Sequence, residues 1–324
     1  MDYSMNTAVY AVLIAFLANI VLCPMLIPAL RRLKFGEQIR GDGPQSHLKK
    51  AGTPTMGGIM IVLSFLLAAA IFMRSNPHAL AVILATVGFG LIGLLDDFVK
   101  ITQRRSLGLK ALPKLLGQLV VSGGFIAYWR TLEGYTTEIL VPFFPHLVFD
   151  VGFLFPIFAI LVFLSCSNGA NLTDGLDGLA AGVTVLIAAF FMFAAWIIGS
   201  SVLPVAGAAV GSLMGFLLFN THPARVFMGN TGSLALGGFV AAVSLMLQMP
   251  LFLLIVAIVY VFTSASSMIQ VGYFKLTKGK RFFKMAPFHH SLELSGWTET
   301  KIVAFYYVIT AMACLLGYLA LQGF

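Results

Sequence analysis

Apolar residues gather into long runs along this 324-residue chain, and short polar gaps separate the runs. Most runs approach the ~20 apolar residues that a helix needs to cross a bilayer. The pattern predicts about ten transmembrane helices in a single domain of residues 1–324, at 7–30, 57–73, 79–95, 113–129, 151–166, 179–198, 202–219, 233–247, 251–271 and 302–321. An even number of spans places both termini on one side of the membrane.

Composition agrees with this pattern. Hydrophobic residues make up 59% of the chain and charged residues 10%, which excludes a soluble domain and indicates an all-α integral membrane protein. No basic segment precedes the first apolar run, so we expect that run to be a span and not a cleaved signal. Cys23, Cys166 and Cys314 lack the spacing of metal ligands and are interpreted as small apolar side chains.

The basic residues predict the orientation of the spans. Of the 20 Lys and Arg residues, all but Arg74 and Arg130 fall in the first, third, seventh and ninth gaps between runs. Loops rich in Lys and Arg remain in the cytoplasm. We therefore expect the odd-numbered gaps to be cytoplasmic and both termini to be extracytoplasmic.

Polar side chains are concentrated between the fifth and sixth runs. Asn168, Asn171, Asp174 and Asp177 recur at every third position, so a helix through this segment would carry them along one stripe. Ionisable groups at the end of a membrane helix are costly and indicate a functional site by default. The alternative is a polar connecting loop, but glycines beside each aspartate favour close approach of a ligand or another backbone.

A second pair of acids, Asp96 and Asp97, closes the third run. Two adjacent carboxylates repel each other unless a cation or a proton lies near them, and a helix C-terminus would disfavour them further. We expect a divalent metal or a proton-transfer step there, with part of the compensation coming from Lys100 and the basic residues that follow. The loop 220–233 can present backbone N–H groups to an anion where the next helix begins.

The ninth gap carries His289 and His290 among lysines and arginines. A histidine pair is most often structural, but these imidazoles could also bind phosphate oxygens. All the candidate site residues named so far lie on the predicted cytoplasmic side. Acids that suit Mg²⁺, surrounded by cations that suit phosphate, are what phosphoryl transfer on a diphosphate requires. The sequence therefore predicts one cytoplasmic active-site cleft.

At this point the residues resemble a known family over nearly the whole chain. The shared motifs are Gly43-Pro44, Ser46-His47, Lys50, residues 52–58, Asp96-Asp97, residues 171–178, residues 226–229, and Pro287 with His289-His290, Glu293 and Gly296-Trp297. These resemble the phospho-N-acetylmuramoyl-pentapeptide transferases, which belong to the polyprenyl-phosphate N-acetylhexosamine-1-phosphate transferase superfamily.

The resemblance implies an activity, a cofactor and a location. The expected reaction moves phospho-MurNAc-pentapeptide from UDP-MurNAc-pentapeptide to undecaprenyl phosphate, giving lipid I and UMP, with Mg²⁺ required. The expected protein is a homodimer of ten-helix subunits in the bacterial plasma membrane. It is also expected to be a target of nucleoside antibiotics. No nucleic-acid partner is expected.

The same resemblance implies roles for single residues. Catalytic residues would be Asp96, Asp97, Asp174, His289 and His290, with Asp96 or Asp97 as the candidate general base. The nucleoside side of the cleft would bind substrate through Lys50, Thr55, Asn171, Asp177, Asn220, Phe227 and Gln270. Position 230 and Asp97 would hold the metal.

Two positions depart from the family pattern. Ser291 stands where the family has the third histidine of its motif, and Asn230 stands where the family has an aspartate that binds magnesium. A neutral carboxamide binds a hard cation more weakly than a carboxylate does. We therefore expect Asn230 to lower metal affinity and turnover.

Two alternative functions remain at the level of sequence. One is a relative that transfers GlcNAc-1-phosphate to a polyprenyl phosphate, and Pro287-x-His-His with Gly296-Trp297 argues against it. The other is an ion-coupled transporter, which would carry acids at mid-membrane depth and broken helices in corresponding halves. The sequence leaves open which aspartate is base and which is metal ligand, and whether transfer is direct or passes through a covalent enzyme intermediate.

Overall fold

The computed structural model describes residues 4–32, 52–72, 76–103 and 108–323. In this part of the chain the helices are α1 Met5–Arg32, α2 Gly58–Phe72, α3 Pro77–Thr102, α4 Ala111–Trp129, α5 Phe155–Thr173, α6 Leu179–Ile197, α7 Leu203–Asn220, α8 Gly229–Met246, α9 Leu253–Val256, α10 Ile258–Leu276, α11 Phe288–Glu293 and α12 Glu299–Leu321. Single 3-10 turns precede α5 and α9. The strands β1 Glu138–Leu140 and β2 Val148–Asp150 form one short hairpin.

Eight of the described helices are long and apolar enough to cross a membrane. The bent pair α9–α10 would make a ninth span, and α2 is apolar but only 15 residues long. The prediction of an all-α membrane protein is therefore confirmed in its general form, with the β-hairpin as a small exception. The exact number of ten spans stays a prediction.

Two of the predicted spans have a different form in the structure. The third run ends at residue 95 in the hydropathy pattern, but α3 continues to Thr102, so Asp96 and Asp97 lie inside the helix and not at its C-terminus. The ninth run is not one helix, because the chain bends by 81° between α9 and α10. A helix can continue beyond its apolar part when its charged and amide side chains find partners on other helices. A hydropathy pattern does not detect such partners.

Small residues bring the helices close together. The stripe Gly207, Gly211 and Gly215 on α7 faces α1, where an added Cβ would meet backbone of Ala8, Val12 and Phe16. The glycine stripe therefore permits the close helix packing that small residues give in lipid.

A buried amide crosses the same interface. Asn19 Nδ2 on α1 donates to Ser64 Oγ on α2 at 2.9 Å and to the Ser212 carbonyl on α7 at 3.0 Å. Without water, such a polar group needs internal partners, and here they join three helices.

The segment between α4 and α5 forms the antiparallel hairpin, in which Glu138 pairs with Asp150 and Leu140 with Val148. Asp150 Oδ1 accepts hydrogen bonds from the Thr137 hydroxyl at 2.5 Å and from Gly152 N–H at 2.9 Å. These two donors hold the pKa of Asp150 below its ordinary value of 3.8. The hairpin is thus ordered by these local bonds and by Leu140 N–H, which donates to the Gln248 carbonyl at 2.8 Å.

Candidate active site

Two buried aspartates lie in the last two turns of α3. Asp96 is 3% exposed and Asp97 is 1% exposed. Lys100, one turn later, lies 3.3 Å from Asp96 Oδ2 and 3.4 Å from Asp97 Oδ1, and Leu109 N–H donates to Asp96 Oδ1 at 3.1 Å. Buried charges are costly unless they are paired and hydrogen-bonded. Lys100 thus supplies the partial compensation that the sequence predicted.

The N-terminus of α8 meets Asp97 directly. Asp97 Oδ1 accepts from Asn230 N–H at 3.1 Å, and Oδ2 accepts from Thr231 N–H at 2.9 Å and from Thr231 Oγ1 at 2.8 Å. The first amides of a helix have no intrahelical partner and favour an anion. The anion predicted at the start of this helix is therefore found within the chain itself.

A glycine permits this approach. Gly229 has a φ of +73°, and a Cβ on it would lie 2.7 Å from Asp97 Oδ2 and 2.9 Å from Thr55 Oγ1. A side chain at position 229 would be strained by the backbone and would also press on the carboxylate. Thr55 Oγ1 and Asp97 Oδ2 therefore both lie close to Gly229, whereas the sequence analysis assigned Thr55 to the nucleoside side.

Asn230 joins the aspartates to the central polar segment. Its Nδ2 donates a short hydrogen bond to Asp96 Oδ2, and its Oδ1 accepts from Asn171 Nδ2 at 2.8 Å. Asn171 Nδ2 also donates to Ser233 Oγ at 2.8 Å. Asp96, Asp97, Lys100 and Asn230 are called the acid cluster below. Side chains that the sequence placed in three separate gaps or span ends therefore meet here, namely Asp96 and Asp97, Asn171, and Asn230.

The central polar segment is not one helix. α5 ends at Thr173, Asp174 follows it with a ψ of 56°, and Gly178 opens α6 with a φ of +78°. The predicted single stripe is wrong beyond Thr173, because the glycines of this segment favour a turn over a continued helix. Asn168 also faces elsewhere, since its Nδ2 lies 3.5 Å from Gln118 Oε1 on α4.

Asp177 in this turn is held by two residues that sequence reasoning did not select. His222 Nδ1 lies 3.1 Å from Asp177 Oδ2 and 3.3 Å from Glu299 Oε2. Glu299 Oε1 accepts from Asp177 N–H at 2.7 Å, and Ala224 N–H donates to Asp177 Oδ2 at 3.0 Å. Asp177, His222 and Glu299 are called the carboxylate clamp below.

The clamp also has the composition of a metal site, since one ligand atom from each residue lies within 4.8 Å of the others. Its geometry is that of hydrogen bonds, with the imidazole nitrogen between two carboxylate oxygens. Mg²⁺ takes oxygen ligands and suits a histidine poorly. The clamp is therefore a weaker candidate for a magnesium ion than the acid cluster.

The backbone of the same turn is fixed from two further helices. Asn220 at the end of α7 is 3% exposed; its Oδ1 accepts from Gly178 N–H at 3.2 Å and its Nδ2 donates to the Val226 carbonyl at 3.0 Å. Tyr307 on α12 donates from its hydroxyl to the Gly178 carbonyl at 2.7 Å. Asn220, predicted to bind substrate, thus holds the turn and the loop before α8.

Phe227 connects that loop with the segment before α2. Phe227 N–H donates to the Pro54 carbonyl at 2.8 Å, and the Phe227 carbonyl accepts from Gly57 N–H at 2.8 Å. Thr55 lies between these two bonds. Lys50, a predicted substrate-binding residue, lies outside the described residues.

The two histidines occupy different surroundings. His289 is fully buried, with its ring against Gly175, where a Cβ would clash with Nε2. His290 Nδ1 lies 2.7 Å from Glu293 Oε2. Ser291, in place of a third histidine, donates to the Met285 carbonyl at 2.6 Å and accepts from Met285 N–H at 3.0 Å. The hydroxyl therefore orders the chain before α11.

Gln270, the remaining predicted residue, lies on α10. Its Oε1 accepts from Phe283 N–H at 2.8 Å, which ties it to the segment before α11. The described hydrogen bonds thus join Asp96, Asp97, Asn171 and Asn230 into one cluster and place Asp177 and Asn220 in a neighbouring one. His222 and Glu299 were missed because each stands alone in sequence, although both lie in predicted cytoplasmic gaps that the charge pattern had marked.

Known proteins resemble the chain along its full length. Residues 79–248 match the model of glycosyl transferase family 4, and residues 50–62 match signature 1 of phospho-N-acetylmuramoyl-pentapeptide-transferases. A phospho-N-acetylmuramoyl-pentapeptide-transferase from Acetivibrio thermocellus is 44% identical over 99% of this chain and 98% of its own length. Proteins of the same name from Clostridium novyi and Caldanaerobacter subterraneus are 47% and 45% identical, over 98% and 97% of this chain and 98% of each relative.

Proposed function

The chain belongs to the phospho-N-acetylmuramoyl-pentapeptide transferase family, and from this premise we propose that it transfers phospho-MurNAc-pentapeptide from UDP-MurNAc-pentapeptide to undecaprenyl phosphate. The products are lipid I, which is the first membrane-bound intermediate, and UMP, which is the nucleotide released from the UDP carrier. The observation that carries the proposal is the acid cluster, in which two carboxylates, a lysine and a carboxamide meet at the N-terminus of α8.

Phosphoryl transfer depends mainly on positioning and on stabilisation of charge. The acid cluster supports both. Lys100 carries a positive charge beside Asp96 and Asp97, and it is about one-third exposed, so it can also reach a phosphate. The α8 N-terminus fixes Asp97, while Asn171 fixes Asn230. The polar groups are therefore ordered before substrate binds, which lowers the cost of arranging them during the reaction.

The residues of the acid cluster fit a magnesium ion. Asp96 and Asp97 offer hard carboxylate oxygens, and Mg²⁺ is commonly held by one or two carboxylates together with substrate phosphates. Asn230 turns its Nδ2 toward Asp96 and its Oδ1 toward Asn171, so its carboxamide would have to rotate to offer an oxygen to an ion beside Asp96. When bound, Mg²⁺ neutralises negative charge on the diphosphate. Asn230 contributes no charge, so we expect the ion to be held more weakly than by a carboxylate at this position.

The pattern of hydrogen bonds favours direct attack by the lipid phosphate over a covalent enzyme intermediate. An oxygen of the lipid phosphate bonds to the phosphorus that carries the sugar, and the bond from that phosphorus to the oxygen of UMP breaks. Asp97 is poorly suited as a nucleophile, because both its oxygens accept bonds from the start of α8. The oxygens of Asp96 likewise accept hydrogen bonds, from Leu109 N–H and from Asn230 Nδ2, and Lys100 lies beside them. We propose that one of the two aspartates receives the proton of the lipid phosphate.

The neighbouring turn supports a nucleotide subsite. Asp177, Asn220 and the Phe227 backbone form connected hydrogen bonds around it. By family resemblance we assign Gln270 and Lys50 to the same side of the cleft. Asn171 and Thr55, which the resemblance also gives to the nucleoside side, lie instead beside the acid cluster, where Asn171 bonds to Asn230 and Thr55 lies near Asp97. Asp174, His289 and His290 are assigned to the diphosphate between the two clusters.

We further propose ten spans, with both termini extracytoplasmic and a cytoplasmic cleft, in one domain of the bacterial plasma membrane. Helix α2 and the bent pair α9–α10 would supply the spans beyond the eight long ones. A homodimer is proposed from the family alone. The positive-inside distribution supports the orientation. A single cysteine at Glu133 should react with an impermeant reagent only from outside, and labelling only from inside would contradict the orientation.

The activity is tested with purified protein in liposomes that contain undecaprenyl phosphate. UDP-MurNAc-pentapeptide and UDP-GlcNAc are supplied in parallel, and UMP and the lipid product are measured. We expect UMP and lipid I with the first substrate only, in an amount that depends on the lipid phosphate. Product from UDP-GlcNAc alone would favour the GlcNAc-1-phosphate transferase instead.

A further inference from the structure

The carboxylate clamp joins three parts of the chain that are distant in sequence. Asp177 lies in the turn after α5, His222 in the loop after α7, and Glu299 at the start of α12. The imidazole nitrogen lies between the two carboxylates at 3.1 and 3.3 Å. One nitrogen therefore offers its hydrogen to two acids that would otherwise repel each other.

We propose that His222 and Glu299 are positioning residues that hold Asp177 and its turn in the conformation that recognises the nucleotide. The proposal rests on the proposed function, since Asp177 belongs to the nucleotide subsite only there. His222 acts on the Asp177 side chain, whereas Glu299 acts on its backbone N–H. The two contacts fix both the place of the residue and the direction of its carboxylate.

Burial makes the arrangement sensitive to change. The Asp177 side chain is 3% exposed and that of Glu299 is 9% exposed, while His222 is 42% exposed. Removing the imidazole would leave two buried acids facing each other, and removing one partner of a buried charged hydrogen bond is more costly than the bond itself is favourable. The turn then has to move to separate them. Because His222 itself is partly exposed, its replacement leaves little empty space in the core.

The effect should appear in nucleotide binding and not in binding of the lipid phosphate. The acid cluster is held by α3 and α8 through bonds that do not involve the clamp. A displaced Asp177 would therefore weaken binding of the nucleotide substrate, while the site for the lipid phosphate stays intact. A general loss of structure would weaken both.

The test compares His222→Phe, His222→Asn and Glu299→Leu with the parent chain in liposomes. Phenylalanine keeps the size of the ring without a donor, whereas the asparagine amide can still donate to Asp177. His78→Phe is the matched control, because His78 bonds to a backbone carbonyl at the predicted opposite end of the molecule. The measurements are KM for each substrate, kcat, and equilibrium binding of UMP.

We expect His222→Phe and Glu299→Leu to raise KM for UDP-MurNAc-pentapeptide about tenfold and to weaken UMP binding by a similar factor. KM for undecaprenyl phosphate should change less than about twofold, and His222→Asn should recover most of the loss. An unchanged nucleotide KM in His222→Phe would overturn the proposal, and so would equal increases in both KM values. If the parent chain makes no lipid product, the proposed function fails, and weaker UMP binding by His222→Phe alone would still support the clamp.

Discussion

The acid cluster and the carboxylate clamp each bring two carboxylates to a shared partner, but they are built in different ways. In the acid cluster the acids come from adjacent residues of one helix, and their partners are Lys100 and the first amides of α8. In the clamp the acids come from a turn and a helix start, and the partner is one imidazole from a loop. The first lies between packed helices, and the second lies where helices end.

This difference predicts how each region responds to substitution. Where an acid completes the N-terminus of a core helix, chemistry and stability depend on the same side chain. Where the acid is held by loop residues, the fold can remain while the geometry of binding changes. The comparison therefore separates residues whose loss damages the whole molecule from those whose loss alters one substrate.

The largest effect is expected for Asp97→Asn. The variant loses the charge that pairs with Lys100 and places an amide against the donors of α8, so it should lack transfer and unfold with a free energy lower by about 3 kcal/mol. Lipid I formation and thermal unfolding in detergent measure the two effects. Asp150→Asn is the matched control in the exposed hairpin, and normal transfer by Asp97→Asn would remove this residue from the reaction.

Asp174→Asn should abolish transfer with little change in stability. Asp174 lies in the half-buried turn after α5, outside the contact of α3 with α8. The amide has nearly the same shape but cannot carry charge toward a diphosphate or a metal. Turnover at saturating substrates should therefore be lost while the melting temperature stays nearly unchanged. Near-normal turnover would exclude Asp174 from the transfer step.

A smaller effect is expected for Gly175→Ala. The new methyl group would meet the buried His289 ring, and overpacking of this kind costs about 1–3 kcal/mol. Gly123→Ala on α4 is the control, because no atom of the described residues lies within 4 Å of a Cβ there. If the two variants have equal stability and turnover, His289 does not depend on close packing against the turn.

The smallest effect concerns Asp150. The pKa of Asp150 is lowered in the folded state, so its carboxylate stabilises the protein at any pH above the ordinary pKa of 3.8. This contribution is lost as the pH falls through the lowered pKa. Asp150→Asn should therefore reduce stability slightly at pH 7 and leave transfer unchanged. Unfolding of both proteins at pH 7 and pH 3 tests this, and the difference should shrink at the lower pH.

Sequence patterns predicted the ends of the apolar helices well where polar residues directly flank the apolar run. α6 and α7 differ from their predicted runs by one residue at each end or less. The pattern failed at α3, where paired charges continue the helix for seven residues, and at the bend beside Ala257, which has no glycine or proline next to it. Both outcomes depend on tertiary contacts that local hydropathy does not contain.

The candidate site shows the same division. Asp96, Asp97 and Asn171 were selected because polar groups are costly at a membrane boundary. The contact of Asp97 with the amides of α8 joins residues more than 130 positions apart, so no local pattern could predict it. His222 and Glu299 were missed for the same reason, since each becomes informative only beside Asp177.

We propose the acid cluster as the magnesium and transfer centre, and Asn230→Asp tests this assignment most directly. A carboxylate at position 230 would face the carboxylate of Asp96, and the two would repel each other. The variant should therefore depend on a bound cation more strongly than the parent chain does. The measurement is transfer rate and melting temperature against Mg²⁺ concentration for both proteins. We predict about tenfold tighter apparent Mg²⁺ binding, faster transfer and a Mg²⁺-dependent melting temperature for Asn230→Asp. Superimposable curves at equal turnover would contradict the claim.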